Sequence, residues 1–256
     1  MATETVDIFH RGKFVLVQPK GTGHRSGVDA MVLAAAVPSG FAGRVADLGA
    51  GSGAAGLAVA SRCPQAHVTL IERDPLMIDH ANKTLKHESN QSLASRVSLI
   101  ESDVTLTGKR RVAAGIADNA FDFAVFNPPF NPAHDRQTPD PVKAAAHVMG
   151  DGLFENWLRT VAAIVKPGGG MALIARPQSI GDILAALKGR FGGVRIIPVH
   201  PRKGEAAIRI VVTAIHGSRA AMRLESPLIL HGAEGHAFTP RAEAIINGLA
   251  GLLEPH

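Results

Sequence analysis

The sequence predicts an α/β fold: an open, mostly parallel sheet covered by helices on both faces and finished by one antiparallel hairpin. Three observations carry this. Short apolar runs alternate with helix-like stretches along most of the chain, the pattern of parallel strands joined by helical crossovers. A glycine-rich turn, Gly49 to Gly53, separates the first buried run from the helix after it. The last two long apolar runs, 194–199 and 207–215, are joined by a link too short for a helical crossover, so they must pair antiparallel. A chain of 256 residues with 46% hydrophobic content has enough apolar material for one large core.

Taken in order, Phe14–Val17 is expected as a short strand and Asp29–Val37 as an Ala-rich helix stopped by Pro38. Arg44–Leu48 reads as a buried strand and Ala54–Arg62 as the helix after the glycine turn. His67–Glu72 and Pro75–His87 repeat strand and helix, and Val97–Ile100 is the third core strand. Thr105–Gly115 carries Lys109, Arg110 and Arg111 with little periodicity and reads as exposed. Phe121–Phe126 is the fourth strand, and Asn131–Pro141, with three prolines, is a loop. Leu153–Val165 is an amphipathic helix, with Trp157 reading as core. Lys166 to Gly170 is expected as a turn into strand Met171–Ala175. Then come helix Ser179–Arg190, the hairpin, a last short strand at Leu228–Leu230 and a closing helix, Ala242–Leu253. The sheet has seven main strands. Residues 1–43 are expected as an N-terminal strand and helix on the substrate side, and 44–256 as one compact unit.

Composition excludes several classes. Met1–Lys20 has no apolar stretch of signal-peptide length, and no run of about 18 apolar residues suggests a membrane span. A lone cysteine, Cys63, rules out an internal disulfide, fits a reducing cytoplasm and reads as structural. The net charge is +5, and its distribution is uneven. Between Lys188 and Arg223 there are eight Lys/Arg against one acid, Glu205. Such clustering is the expected footprint of a phosphate-backbone partner, although a solvated basic face gives the same pattern.

The chemistry begins at Asp47-Leu48-Gly49-Ala50-Gly51-Ser52-Gly53, which leaves a strand and opens a helix. Glycines permit tight turning and close approach of a ligand, and the helix start offers free N–H groups. Gly51 to Gly56 also spells GxGxxG, so a nicotinamide enzyme must be weighed. Asp47 argues against it: a carboxylate there repels a pyrophosphate but suits the ammonium of a methionyl tail, as in S-adenosylmethionine. Glu72, ending the second core strand, can accept ribose hydroxyls in either case. Asp103, after the third, can meet an adenine amino group. Helix capping is the structural alternative for Asp47 and Asp103.

Asn127-Pro128-Pro129-Phe130, at the end of the fourth strand, is the most specific signal. Two prolines remove two backbone donors and fix φ. Carbonyl acceptors are thereby left for an amino group. An exocyclic amino nitrogen is a poor nucleophile because its lone pair is delocalised. If Asn127 Oδ1 and the Pro128 carbonyl each accept one N–H, the lone pair turns towards a methyl donor. Positioning and charge complementarity then replace a strong base. Phe130 offers a face on which an extruded base can stack. A proline-stiffened turn is the structural alternative. His134, Asp135 and His147 lack metal-ligand spacing, and no metal is expected.

These motifs resemble, over nearly the whole chain, the bacterial tRNA adenine-N6-methyltransferases that modify the adenosine beside the anticodon of a valine tRNA. The resemblance includes Val17-Gln18, Gly23 to Ala34, the Asp47–Gly53 loop, Ile71-Glu72, Asp103 and Asn127–Phe130. Its most family-specific parts are Val199-His200-Pro201-Arg202 and Leu228 to Gly232. It implies a Rossmann-like class I methyltransferase fold, S-adenosylmethionine as cofactor and an RNA partner, with tRNA first. By this similarity Asp47, Gly49, Ala50, Gly51, Gly53, Glu72, Arg73, Asp103, Val104 and Asn127 would bind the cofactor. Arg25 and Asp29 would line the site entrance, and Asn127 to Phe130 would take the acceptor adenine. Arg195, Arg202, Lys203 and Arg209 would meet RNA phosphates. The family ends its motif in Tyr, whereas this chain has Phe130 and no tyrosine at all. The Asn-Pro-Pro-Phe form also resembles ribosomal-RNA guanine-N2 methyltransferases, and release-factor glutamine methyltransferases share the chemistry. Loss of catalysis, leaving an RNA-binding module, is the reading from another class. Intact Asp47, Asn127 and Pro128 argue against it.

Overall fold

The computed structural model describes residues 4–20, 27–129 and 152–254. The chain opens with an antiparallel hairpin, β1 (Glu4–Phe9) and β2 (Phe14–Pro19), followed by helix α1 (Val28–Ala34). Strands β3 (Gly43–Leu48), β4 (Ala66–Glu72) and β5 (Val97–Glu101) alternate with α2 (Ala54–Arg62), α3 (Pro75–Lys86) and the short α4 (Gln91–Ala94). Helix α5 (Gly108–Ala113) precedes β6 (Phe121–Phe126). Next come α6 (Leu153–Ile164), β7 (Val165–Ala175), α7 (Ile180–Leu187), β8 (Phe191–His200) and β9 (Arg209–His216). Two-residue strands β10 (Arg223–Leu224) and β11 (Leu228–Ile229) and helix α8 (Pro240–Ile246) close the described chain.

The seven long strands of the main sheet lie in the order β5-β4-β3-β6-β7-β9-β8, with β10 and β11 both pairing β8. The strands from β5 to β7 run parallel, whereas β9 is antiparallel to both β7 and β8. The expected architecture, with its antiparallel closure, is therefore the observed one. Side chains alternate between the two faces of the sheet. Val45, Val68, Leu70, Phe123 and Val125 join one core with α1, α2 and the hairpin. Ala46, Leu48, Ile71, Ala124 and Phe126 join another with α6 and α7. Burial on both faces is why the central strands read as unbroken apolar runs rather than alternating ones.

Several expectations need correction. Strand Phe14–Val17 exists, but it pairs with the unforeseen β1 and not with the main sheet. The expected turn at Lys166–Gly170 belongs to β7, whose pairing with β6 shifts register between Phe121 and Phe123. Glycine is needed there for close approach: a Cβ on Gly170 would stand 2.4 Å from the Phe123 ring. The Thr105–Gly115 segment is not simply exposed, because α5 buries Arg111. Its guanidinium donates to the Ile116 carbonyl and pairs with Asp118. A basic run conceals such a residue, since a long apolar stem can be buried while the head finds partners. The closing helix starts at Pro240, capped by Thr239, and stops at Ile246 before Gly248 at φ +70°, short of the expected Leu253. Cys63 is buried, as is Trp157. Among the described residues no helix is long and apolar enough to cross a membrane.

Candidate functional site

Parallel pairing brings several strand ends to one edge of the sheet. Leu48 of β3 is in register with Ile71 of β4 on one side and with Phe126 of β6 on the other. Glu72 is in register with Glu101 of β5. Gly49, Arg73, Ser102 and Asn127 therefore leave the sheet from neighbouring strands, spaced about 4.8 Å apart. This is the edge at which open α/β sheets bind ligands.

The loop after β3 is shaped by backbone constraint. Gly49, Gly51 and Gly53 have φ of +65°, +57° and +94°. Gly49 and Ala50 donate their N–H groups to the Ile71 carbonyl at 2.8 and 3.1 Å. Trp157 fills the space under the loop, so a Cβ on Gly49 would lie 2.6 Å from its ring. Core and site thus meet at one residue.

Asp47 is 2% exposed, and its Oδ2 accepts the Gly56 N–H of α2 at 2.7 Å. Burial pushes its pKa up to about 7; the Gly56 N–H opposes this, and the nearby Glu72 adds to it. Glu72 is buried as well. Its Oε2 accepts the Gly51 N–H at 2.8 Å, and its Oε1 accepts those of Arg73 and Asp74 at 2.8 and 2.9 Å. A carboxylate has about four lone-pair sites. One is left for a ligand hydroxyl in this arrangement, fewer than the two ribose contacts the sequence suggests. Asp103 accepts from the Thr105 N–H and hydroxyl at 2.8 and 2.7 Å and pairs with Arg73 at 2.9 Å. Burial raises its pKa, but Thr105 and Arg73 outweigh that and hold it below the ordinary value. Of the helix-capping alternative, Asp47 meets one N–H near the start of α2, whereas Asp103 caps no helix and closes a turn with Thr105.

Three buried polar atoms at this edge have no hydrogen-bond partner among the described residues: Ser52 Oγ, Ser102 Oγ and Asn127 Oδ1. Leaving such an atom unpaired costs about 1–3 kcal/mol. They follow β3, β5 and β6 along one edge of the sheet, where a bound ligand could complete them. Sequence reading missed Ser52 and Ser102. Ser52 sits inside the glycine motif and Ser102 just before Asp103, and position was the signal available.

The methyltransferase small domain matches residues 24–200 of the chain, which includes β3 to β8 and the whole of this edge. The chain belongs to that family. A tRNA1(Val) (adenine(37)-N6)-methyltransferase of Shewanella sp. is 30% identical over 72% of this chain and 74% of its own length. The enzyme of that name from Porphyromonas gingivalis is 28% identical over 90% of both chains. A solved structure from Agrobacterium tumefaciens, described as a predicted O-methyltransferase, is 45% identical. It superposes with a TM-score of 0.76 over 87% of this chain and 97% of its own. The chain is an S-adenosylmethionine-dependent methyltransferase.

In this methyltransferase, Asp47, Gly49, Ala50, Gly51, Gly53, Glu72, Arg73, Asp103, Val104 and Asn127 lie in or directly after the segments that meet at the carboxyl edge. Pro128 is buried and Pro129 exposed beside them. Arg25 and Phe130 lie outside the described residues, as do His134, Asp135 and His147. Asp29, in the first turn of α1, meets Arg209 in an ion pair of 2.8 Å. The basic cluster is less open than its sequence suggests. Arg190 pairs with Glu155 and Arg195 with Glu225, each at 2.6 Å. Arg202 donates to the Gly235 carbonyl and lies 4.0 Å from Glu205. Lys203 is exposed. Three of the partner acids, Asp29, Glu155 and Glu225, come from outside the Lys188–Arg223 window.

Proposed function

We propose that this methyltransferase transfers the methyl group of S-adenosylmethionine to an exocyclic amino nitrogen of an RNA base, with adenine N6 of tRNA as the acceptor. The observation that carries the reading is Asn127 Oδ1: buried, unpartnered, and one strand away from the Asp47 loop. An acceptor oxygen held in this state is complementary to an N–H group. The relatives named as tRNA adenine methyltransferases support RNA as the substrate class.

When bound, the cofactor supplies an electrophilic methyl group on a sulfonium. The residues of the chain do the rest by orientation. Asp47 sits near its titration point and would shed its proton to pair with the cofactor ammonium. Gly49, Ala50, Gly51 and Gly53 let the backbone approach, and Glu72 would accept one ribose hydroxyl. Asp103 and Val104 would flank the adenine, with Arg73 holding Asp103. Asn127 Oδ1 and the Pro128 carbonyl would each accept an N–H of the acceptor, while Pro129 would stiffen the turn and Phe130 would offer its ring to the base. Arg25 and Asp29 would form the entrance. Residues 1–43 act as the substrate-side segment of the 44–256 unit.

The Agrobacterium tumefaciens structure, with its O-methyltransferase description, favours a second reading, transfer to oxygen. A hydroxyl acceptor needs a base to take its proton before or during attack. An amino group needs only to be turned and polarised, which is what an unpartnered amide oxygen can do. Guanine N2 and a glutamine amide would use the same two acceptors. Asn127→Ala tests the assignment: methyl transfer to RNA should be lost while the protein still binds S-adenosylmethionine by calorimetry. Full residual activity would refute the role.

A further inference from the structure

We propose that Arg176 and Arg209 form a phosphate subsite beside the acceptor end of the sheet, gripping the backbone of the RNA strand that presents the base. The inference rests on the reading of RNA as substrate and assigns its grip to two residues, one of them outside the basic cluster. β7 lies next to β6, with Leu173 in register with Phe126, so Arg176 leaves β7 close to Asn127-Pro128-Pro129. β9 runs antiparallel to β7, with Ile210 in register with Ala175. Arg176 and Arg209 are therefore the next residues outward on adjacent strands, about 5 Å apart along the hydrogen-bonding direction. Both line one open cavity of about 320 Å³, together with Pro177, Gln178, Ala207 and Ile208. This cavity lies on the β7–β9 half of the edge, across β6 from the glycine loop.

The chemistry of the cavity suits a phosphodiester. Among the described residues the Arg209 Nε donates to Asp29 Oδ2 at 2.8 Å and its Nη1 to the Ile208 carbonyl at 2.8 Å. A guanidinium fixed in its plane is ordered before the ligand arrives, and paired guanidinium forks match phosphate oxygens in direction as well as charge. Gln178 adds a neutral donor, and the exposed Ile208 with the half-buried Pro177 gives an apolar wall against which a ribose can rest. Arg190 and Arg195, paired with Glu155 and Glu225, are not among the residues that line this cavity.

The test is binding of a single-stranded RNA oligomer, and of tRNA, by wild type, Arg176→Ala and Arg176→Lys across a salt series. Each phosphate contact with single-stranded RNA contributes about 0.7 to the log–log salt slope. Arg176→Ala should lose about that much slope and raise KM for RNA about tenfold. Its Kd for S-adenosylmethionine should match wild type, which also reports that the variant is folded. Arg176→Lys should recover the slope, because charge is retained, but only part of KM, because the fork is lost. If wild type methylates RNA and Arg176→Ala keeps the wild-type slope and KM, the subsite is overturned and the RNA reading stands. If wild type methylates no RNA, both fall.

Discussion

Asp47→Asn separates what burial costs this protein from what it does for the cofactor. Asp47 is almost fully buried with the Gly56 N–H on Oδ2, and its pKa stands at about 7 against an ordinary 3.8. The direction sets the sign. Between about pH 4 and pH 7 the folded protein keeps a proton that the unfolded chain has released, so cofactor-free stability falls as pH rises through that window. The full displacement corresponds to about 4 kcal/mol at ~1.4 kcal/mol per tenfold change. Asparagine keeps the acceptor for Gly56 and cannot ionise. At pH 8 the cofactor-free variant should be more stable by on the order of 3 kcal/mol, which raises the melting temperature of a chain this size by roughly 5–10 °C. At pH 4 the two proteins should melt together. Cofactor affinity should move the other way, falling about 10- to 100-fold with loss of a charge-assisted contact. Scanning calorimetry at both pH values and titration calorimetry with S-adenosylmethionine read the two effects. A variant no more stable than wild type at pH 8, or one that binds the cofactor with wild-type affinity, would refute the reasoning.

Two further outcomes follow from the same geometry. Gly49→Ala meets a left-handed φ and a Trp157 ring 2.6 Å from the new Cβ, whereas Gly40→Ala has a similar φ of +67° and open space. Urea unfolding should give a loss of about 2–4 kcal/mol for the first and about 1 kcal/mol for the second; equal losses would mean that Trp157 yields. His10 has its pKa lowered to about 4 by burial, then by Arg62 and Lys13. The unfolded chain takes up this proton near pH 6.5 and the folded one only near pH 4, so His10 withdraws stability as pH falls through that range. His10→Asn, which tolerates the left-handed φ of +49° at that position, should flatten the acid limb of urea midpoints; an unchanged limb would contradict the assignment.

The central architecture was legible because a sheet buried on both faces leaves a coarse pattern. The runs at Arg44–Leu48, His67–Glu72 and Phe121–Phe126 are apolar and short, and each ends at a residue with chemistry: Leu48 at the glycine loop, Glu72 itself, Phe126 at Asn127. What the sequence concealed depends on distant partners. Asp29 and Arg209 are 180 residues apart, and nothing local marks them as an ion pair. Arg195 and Arg190 read as free cations because their acids, Glu225 and Glu155, lie outside the basic window. Gly168 to Gly170 read as a turn because a glycine run has two uses, and only the Phe123 ring reveals which applies. β1 went unseen, although Thr5-Val6-Asp7-Ile8 alternates with period 2, because one polar strand is a weak signal without its partner β2. At the site, the motifs gave the location. The spent oxygens of Glu72 and Asp103 and the unpartnered Asn127 Oδ1 required the folded chain.

The most direct test of methyl transfer to an amino nitrogen is nucleoside mass spectrometry of RNA. Unmodified tRNA and ribosomal RNA would be incubated with the purified protein and S-adenosylmethionine carrying a labelled methyl group, then digested to nucleosides. The proposed function predicts the label in N6-methyladenosine, recovered from tRNA. Label on a ribose or base oxygen, or no label in either RNA, would contradict it.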